Sequence, residues 1–281
     1  LETFSQKAGN DTRGKLFGKN KNYLEQIKAN SGRYKIEDAG INSKYSDYGS
    51  AFYNNKLVFS SARDTGSLGQ RKHTWTNQHF TNLYVSDLGE GLTPGKVDKF
   101  SKKVKSRFHE SSAIFSKDRK TMYFTRNNFL DGKKGKSGEK ITLIKIYKAS
   151  FENEDWDKIT ELPFNSDSYS VAHPALSPDG KTMYFVSDMP GTIGQSDLFK
   201  VQLNEDGSFG TPENLGRGIN TEGKETFPFV TDEDELYFAS DGHPGLGGLD
   251  VFVSKMNPDG SFGEIQNVGD GANSPKDDFA Y

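Results

Sequence analysis

Four stretches of near-alternating apolar and polar residues repeat along the chain: "KLVFSSARD" (56–64), "RKTMYFTRN" (119–127), "GKTMYFVSD" (180–188) and "DELYFASDG" (234–242). Alternation of this kind places successive side chains on opposite faces and predicts a β-strand. The central phenylalanines fall at Phe59, Phe124, Phe185 and Phe238, spaced by 65, 61 and 53 residues. Around each the same pieces recur. A first strand precedes it: "YSDYGSAF" (45–52), "RFHESSAIF" (107–115), "YSVAHPALS" (169–177) and "KETFPFVT" (224–231). A tight turn such as "SPDGK" (177–181) or "SKDRK" (116–120) joins it to the copied strand. A glycine-rich loop then leads to a third strand: "NLYVSDL" (82–88), "IKIYKAS" (144–150), "SDLFKVQ" (196–202) and "LDVFVSK" (249–255). The turns "NEDGSFG" (204–210) and "NPDGSFG" (257–263) open a fourth.

Four antiparallel strands per unit of this length predict the blades of an all-β propeller. An isolated four-stranded sheet with two apolar faces cannot cover itself, so such units stack around an axis. Helices between the strands, as a TIM barrel needs, have no room in these segments. Each unit ends in a signature leading to the next, "NLGRGINTEG" (214–223) and "NVGDGANSPK" (267–276), and "EDAGINS" (37–43) carries it ahead of the first unit. "GRYKIEDAG" (32–40) is therefore expected to be the outermost strand of the last blade, closing the ring, with "DDFAY" (277–281) as its innermost strand. The expectation is five blades, the alternative six: blade one over 42–104, two over 105–164, three over 165–216, four over 217–269, and a split last blade from 32–40 and 270–281. Its middle strands are expected beyond residue 281. Residues 1–31 are expected to be a linker or the tail of a helical region, in which Tyr23, Leu24 and Ile27 share one helical face.

Composition agrees with short, aromatic, glycine-turned strands: 21 Phe, 12 Tyr and 30 Gly among 281 residues at 32% hydrophobic. A net charge of −3 speaks against a nucleic-acid binder. The absence of cysteine excludes disulfides, thiolate catalysis and cysteine metal ligands. No run of eighteen apolar residues is present to cross a bilayer. The opening "LETFSQKAGN" has neither Met nor an apolar signal core, which predicts a processed or excised fragment.

"HPALSPDGKTMYFVSD" (173–188) and "FPFVTDEDELYFASDGHPGLGGLDVF" (227–252) resemble TolB-like, WD-repeat-like propeller repeats. "LPFNSDSYSVAHPALSPDGKTMYFVSDMPG" (162–191) and "NLGRGINTEGKETFPF" (214–229) are similar to the propeller segment of OmpA-family outer-membrane proteins of Bacteroidetes, among them the PorE-like type IX secretion component. The resemblance covers residues 32–281. It implies a preceding tetratricopeptide region and a following carboxypeptidase-regulatory-like domain and peptidoglycan-binding domain. It also implies a periplasmic scaffold with cell-envelope or secretion-system partners, reaching peptidoglycan only through a module absent from this sequence.

Candidate chemistry is sparse. Asp47, Glu110, Glu225 and Asp278 open equivalent first strands, with Val171 breaking the series, and would converge on the axial face to bind a cation or basic peptide. The plainer expectation is carboxylates bonded to neighbouring amides. Asp188 with Asp197, and Asp241 with Asp250, flank glycine-rich loops and are expected to hold them by accepting amide protons. Neither loop fits a phosphate cradle, and "DGSFG" lacks calcium-loop spacing. His73, Trp75 and His79 in the first long insertion, with the lysines of 96–107 and 131–140, form a candidate interaction rim. His173, ahead of Pro174 on an innermost strand, is expected to be a satisfied channel-lining or core residue, and His243 lies in the last glycine loop. No histidine pair has metal-ligand spacing and no G-x-S-x-G elbow is present, so no enzyme, cofactor or metal is expected.

Overall fold

A computed structural model of the chain describes residues 3, 7, 10–63, 72–74 and 76–280. It divides into two units, Leu1–Glu37 with Ala175–Tyr281, and Asp38–Pro174.

The unit of residues 38–174 carries two four-stranded antiparallel sheets of blade type. The first runs β1 (Asp47–Tyr53), β2 (Lys56–Ser61), β3 (Asn82–Leu88), β4 (Pro94–Lys99) in that spatial order. Asn54 and Asn55, with φ of 48° and 58°, form the two-residue turn between β1 and β2, a left-handed pair that asparagine tolerates. The second sheet opens with β5 (Glu110–Phe115) and β6 (Thr121–Asn127). A small hairpin, β7 (Phe129–Leu130) and β8 (Lys133–Lys134), follows before β9 (Ile144–Glu152) and β10 (Asp155–Glu161) complete the order β5-β6-β9-β10. Between the two sheets Tyr53, Phe100, Phe115 and Trp156 pack against Val104 and Met122, the Tyr53 and Phe115 centroids 4.4 Å apart.

The third sheet is β11 (Val171–Leu176), β12 (Thr182–Ser187), β13 (Asp197–Gln202) and β14 (Glu213–Asn214), and the chain divides within β11. The fourth is β15 (Glu225–Val230), β16 (Glu235–Ser240), β17 (Asp250–Lys255) and β18 (Gln266–Asn267). Val186, Leu198, Ile219, Leu236, Phe238 and Phe252 form the core of this unit.

The repeated phenylalanine has the same job in every sheet. It pairs in register with an aromatic of the third strand: Phe59 with Tyr84, Phe124 with Tyr147, Phe185 with Phe199 and Phe238 with Phe252. Ring centroids lie 6.3, 6.0, 5.9 and 6.0 Å apart. Each buried ring contributes about 1.5–3 kcal/mol of burial, and cross-strand aromatic pairing adds to it.

The ends differ from expectation. Residues 32–40 form no strand. A strand exists by its ladder, and no described segment pairs with this one. Instead Tyr34 packs on Val251, Val253 and Val268 and shares a 2.8 Å hydroxyl–hydroxyl bond with Tyr237. Residues 277–280 are likewise without strand, although the Asp278 amide donates to the Leu249 carbonyl at 2.7 Å. The N-terminal segment holds two helices, α1 (Thr12–Lys19) and α2 (Tyr23–Asn30). The Thr12 amide donates to Glu222 Oε2 at 2.8 Å, and Asn30 Nδ2 to the Asn267 carbonyl at 3.1 Å. Ile27 is buried, but Leu24 is 55% exposed. A two-turn helix docks through the narrow Tyr23–Ile27 line, four residues apart, and that stripe does not cover Leu24.

Candidate functional site

The four carboxylates that open the first strands share one geometry. Each accepts the amide of the Ser or Thr four residues earlier: Ser43 to Asp47 Oδ2 at 2.5 Å, Ser106 to Glu110 Oε1 at 2.9 Å, Thr221 to Glu225 Oε2 at 2.9 Å, and Ser274 to Asp278 Oδ2 at 2.6 Å. In return the Ser or Thr hydroxyl accepts the amide two residues on, at Tyr45, Phe108, Gly223 and Lys276. This pair of local bonds turns the chain from one sheet into the next.

Glu110 and Glu225 are 1% and 0% exposed. They do not present an acidic lining, because the crossing segment folds back over them. Burial pushes each carboxyl up to about 7, against the Arg126 charge and the bonds from Ser106 for Glu110, and against the bonds from Thr221 and Ser240 for Glu225. Asp47 goes the other way. Its burial is outweighed by Ser61, Ser43 and the Arg63 guanidinium 3.0 Å away, which hold its carboxyl below the usual range.

Two residues beyond each carboxylate position the backbone is left-handed: Gly49 (φ 62°), Ser112 (45°), His173 (51°), Phe227 (47°) and Ala280 (60°). The register slips there in β1, β5 and β15, so each is a β-bulge. The His173 amide donates to Thr125 Oγ1 at 2.8 Å and the Ser112 amide to Ser60 Oγ at 3.0 Å. A hydroxyl following the repeated phenylalanine thus receives the next sheet's bulge. His173 Nδ1 lies 2.7 Å from Ser112 Oγ, and burial lowers its ring to about 3. Phe227 stacks on Phe279, centroids 4.9 Å apart.

The loop aspartates divide. Asp197 accepts from the Ile193 and Gly194 amides at 2.7 and 3.1 Å, and Asp250 from those of Leu246 and Gly247, at 3.0 and 2.9 Å. Burial raises the Asp250 carboxyl despite these donors. Asp241 instead takes the Lys224 amide at 2.6 Å, joining the loop to the crossing that precedes its own sheet, and Asp188 is exposed.

Sequence reasoning missed the asparagines. Asn165, Asn220 and Asn273 each accept an amide from, and return a donor to the carbonyl of, one third-strand residue: Ile146, Leu198 and Val251. The side-chain oxygen supplies the acceptor that the third-strand amide lacks, while each third-strand carbonyl also takes a backbone amide, from Leu162, Leu215 or Val268. Its signal was the Asn-Ser/Thr pair of the crossing signature, present also at Asn42–Ser43.

His243 Nε2 is 2.8 Å from the Ile219 carbonyl, and its ring contacts Phe238 and Phe252. Burial lowers its pKa, opposed by that carbonyl. His73 meets Phe80 and His109, centroids 5.7 and 5.0 Å away, and Lys134 lies over Phe108. His109, unremarked beforehand, is lowered to about 4 by burial and then by His73. Trp75 lies outside the described residues. Among the described residues no group of three or more His, Asp or Glu is placed to hold a metal ion. None of their helices is long and apolar enough to cross a membrane.

No protein-family model and no curated protein matches the chain. Among solved structures it is similar to TolB from Acinetobacter baumannii (15% identity, TM-score 0.45), covering 81% of this chain and 44% of that one. It is similar too to a Mycobacterium tuberculosis puromycin-hydrolyzing peptidase (14%, 0.43; 80% and 39%) and to an α-L-arabinofuranosidase from Lactobacillus brevis (10%, 0.47; 74% and 65%). The chain spans less than half of the first two, and enzymes stand beside TolB among these likenesses, which carry no residue role or activity to this protein.

Proposed function

We propose that this chain is the propeller segment of a periplasmic, outer-membrane-associated OmpA-family protein, acting as a non-enzymatic scaffold in type IX secretion or cell-envelope organisation. The observation that carries the reading is the burial of Glu110 and Glu225, the most buried of the repeated acids, under their own crossings, where each accepts a backbone amide. What the chain offers outward is surface, including Phe52, Phe229 and Phe279 at 68, 42 and 42% exposure. A fourth copy of the crossing device at Ser274–Asp278, followed by Ala280 as the fifth left-handed position of the series, supports a five-bladed ring. Partners are cell-envelope or secretion-system proteins, with peptidoglycan reached through another module. There is no nucleic-acid role and no membrane insertion by this segment. Crosslinking and pull-down from an envelope fraction tests this: recovery of one defined protein partner, lost on replacing Phe52 and Phe229 with Ser, is the expected result. Recovery of none overturns it.

A further inference from the structure

The first sheet departs from a polar chain that the third and fourth share. There, an aspartate opening the third strand lies beside a fourth-strand asparagine. Asn214 Nδ2 donates to Asp197 Oδ2 at 2.6 Å. The crossing asparagine donates to that residue in turn, Asn220 to Asn214 and Asn273 to Asn267, both at 2.9 Å. Register fixes the counterparts in the first sheet. Asn82 pairs with Ser61 as Asp197 does with Ser187, and Lys99 pairs with Tyr84 as Asn214 does with Phe199. Lys105 precedes Ser106 as Asn220 precedes Thr221. Asp-Asn-Asn has become Asn-Lys-Lys.

Lys99 and Lys105 are exposed, so the asparagine brace is gone and a cavity of about 230 Å³ stands beside Leu83, the counterpart of Leu198. Its lining includes Asn82, Leu83, Lys99, Lys102, Lys105 and Glu110. Two buried acceptors in that lining have no hydrogen-bond partner, Asn82 Oδ1 and Glu110 Oε2. In the fourth sheet the matching carboxylate is satisfied by Ser240 and Thr221. Here Arg126 takes the place of Ser240, with its Nε 3.2 Å from Glu110 Oε1, and the Ser106 hydroxyl is turned to Phe108. The Arg126 Nε makes no hydrogen bond there either, and buried polar groups are left unpaired only at a cost in free energy, so this wall carries an unpaired donor and two unpaired acceptors that a hydroxylated occupant would satisfy.

We propose that this cavity binds a small hydroxylated anion of the sugar-acid or sugar-phosphate class. Three lysines, with no ion pair among the described residues, surround the opening, and Arg126 offsets the Glu110 charge, so the local field favours an anionic group. Hydroxyls of the same molecule donate to Glu110 Oε2 and Asn82 Oδ1. Charge selects the ligand and the acceptors orient it.

Isothermal titration of the full chain with glucuronate, glucose 6-phosphate, glucose and inorganic phosphate tests this. At least one charged sugar binds, the preference between them identifying carboxylate or phosphate, and glucose and inorganic phosphate bind about tenfold more weakly or worse. Lys105→Asn restores the brace, keeps or raises the melting temperature, and weakens binding by about tenfold or more. Asn82→Asp, which copies Asp197, gives the same loss by charge repulsion and decides the matter if Lys105→Asn does not fold. Silence with both charged sugars, equal binding of glucose, equal binding of inorganic phosphate as an adventitious ion only, or undiminished binding by Asn82→Asp overturns the proposal.

Discussion

Ser112 Oγ and His173 Nδ1 are 2.7 Å apart, each at a left-handed position of its own first strand. One hydrogen bond thus ties two backbone irregularities that sequence periodicity places 61 residues apart. Histidine tolerates positive φ better than most residues, and its ring reaches a neighbour that Gly49 would not.

The ring is held neutral, which makes the contact sensitive to acid. Burial lowers His173 from 6.5 to about 3, so the folded chain binds this proton more weakly than the unfolded one. Its stabilisation is full above pH 6.5 and is lost as pH falls from there towards 3. At pH 5 the loss is about 2 kcal/mol. His173→Asn, which accepts the same φ, reduces the fall in melting temperature between pH 7 and pH 5. An unchanged fall would contradict the assignment.

Glu225 titrates with the opposite sign. Its carboxyl is raised from 4.5 to about 7 by burial, so the folded chain binds the proton more tightly. This stabilisation is complete below pH 4.5 and disappears as pH rises through 7, an effect of about 3 kcal/mol. Glu225→Gln carries no proton to lose. Going from pH 5 to pH 8, the denaturant midpoint of this variant is expected to change more favourably than the parent's, by the part that Glu225 contributes.

Asn220 is wholly buried and makes three bonds, to both main-chain groups of Leu198 and to Asn214. Asn220→Ala strands the Leu198 amide, while the Leu198 carbonyl keeps the Leu215 amide at 3.0 Å, and costs about 2 kcal/mol. Asn220→Asp keeps the acceptor and loses the donors, so it falls between the two. Urea midpoints at an unchanged slope measure both.

How much of this was readable beforehand follows from what leaves a periodic trace. The strands did, because Phe59, Phe124, Phe185 and Phe238 must each meet an aromatic across the sheet, and that need fixes residue type and spacing. The bulges did not. Gly49, Ser112, His173 and Phe227 share a backbone angle and no side-chain chemistry, so nothing in composition marks them. Without the bulge and its crossing, Glu110 and Glu225 read as surface acids at the head of a strand. The helix stripe misplaced Leu24 because eight residues cannot say how wide the docking surface is.

Glycines 194 and 247 hold the same place in two loops, three residues ahead of Asp197 and Asp250. A Cβ on Gly194 would sit 2.3 Å from the Thr221 carbonyl oxygen, and one on Gly247 2.0 Å from that of Lys276. Both obstacles are backbone of the crossing that follows, held by the carboxylate closures at Glu225 and Asp278, so they do not swing aside. Gly194→Ala and Gly247→Ala are each expected to cost about 2 kcal/mol, the scale of overpacking against a fixed neighbour. Gly218 meets nothing within 4 Å and lies outside the left-handed region, so Gly218→Ala is the control and leaves the melting temperature level or slightly higher. If all three substitutions behave alike, the close approach of loop to crossing is not what these glycines serve.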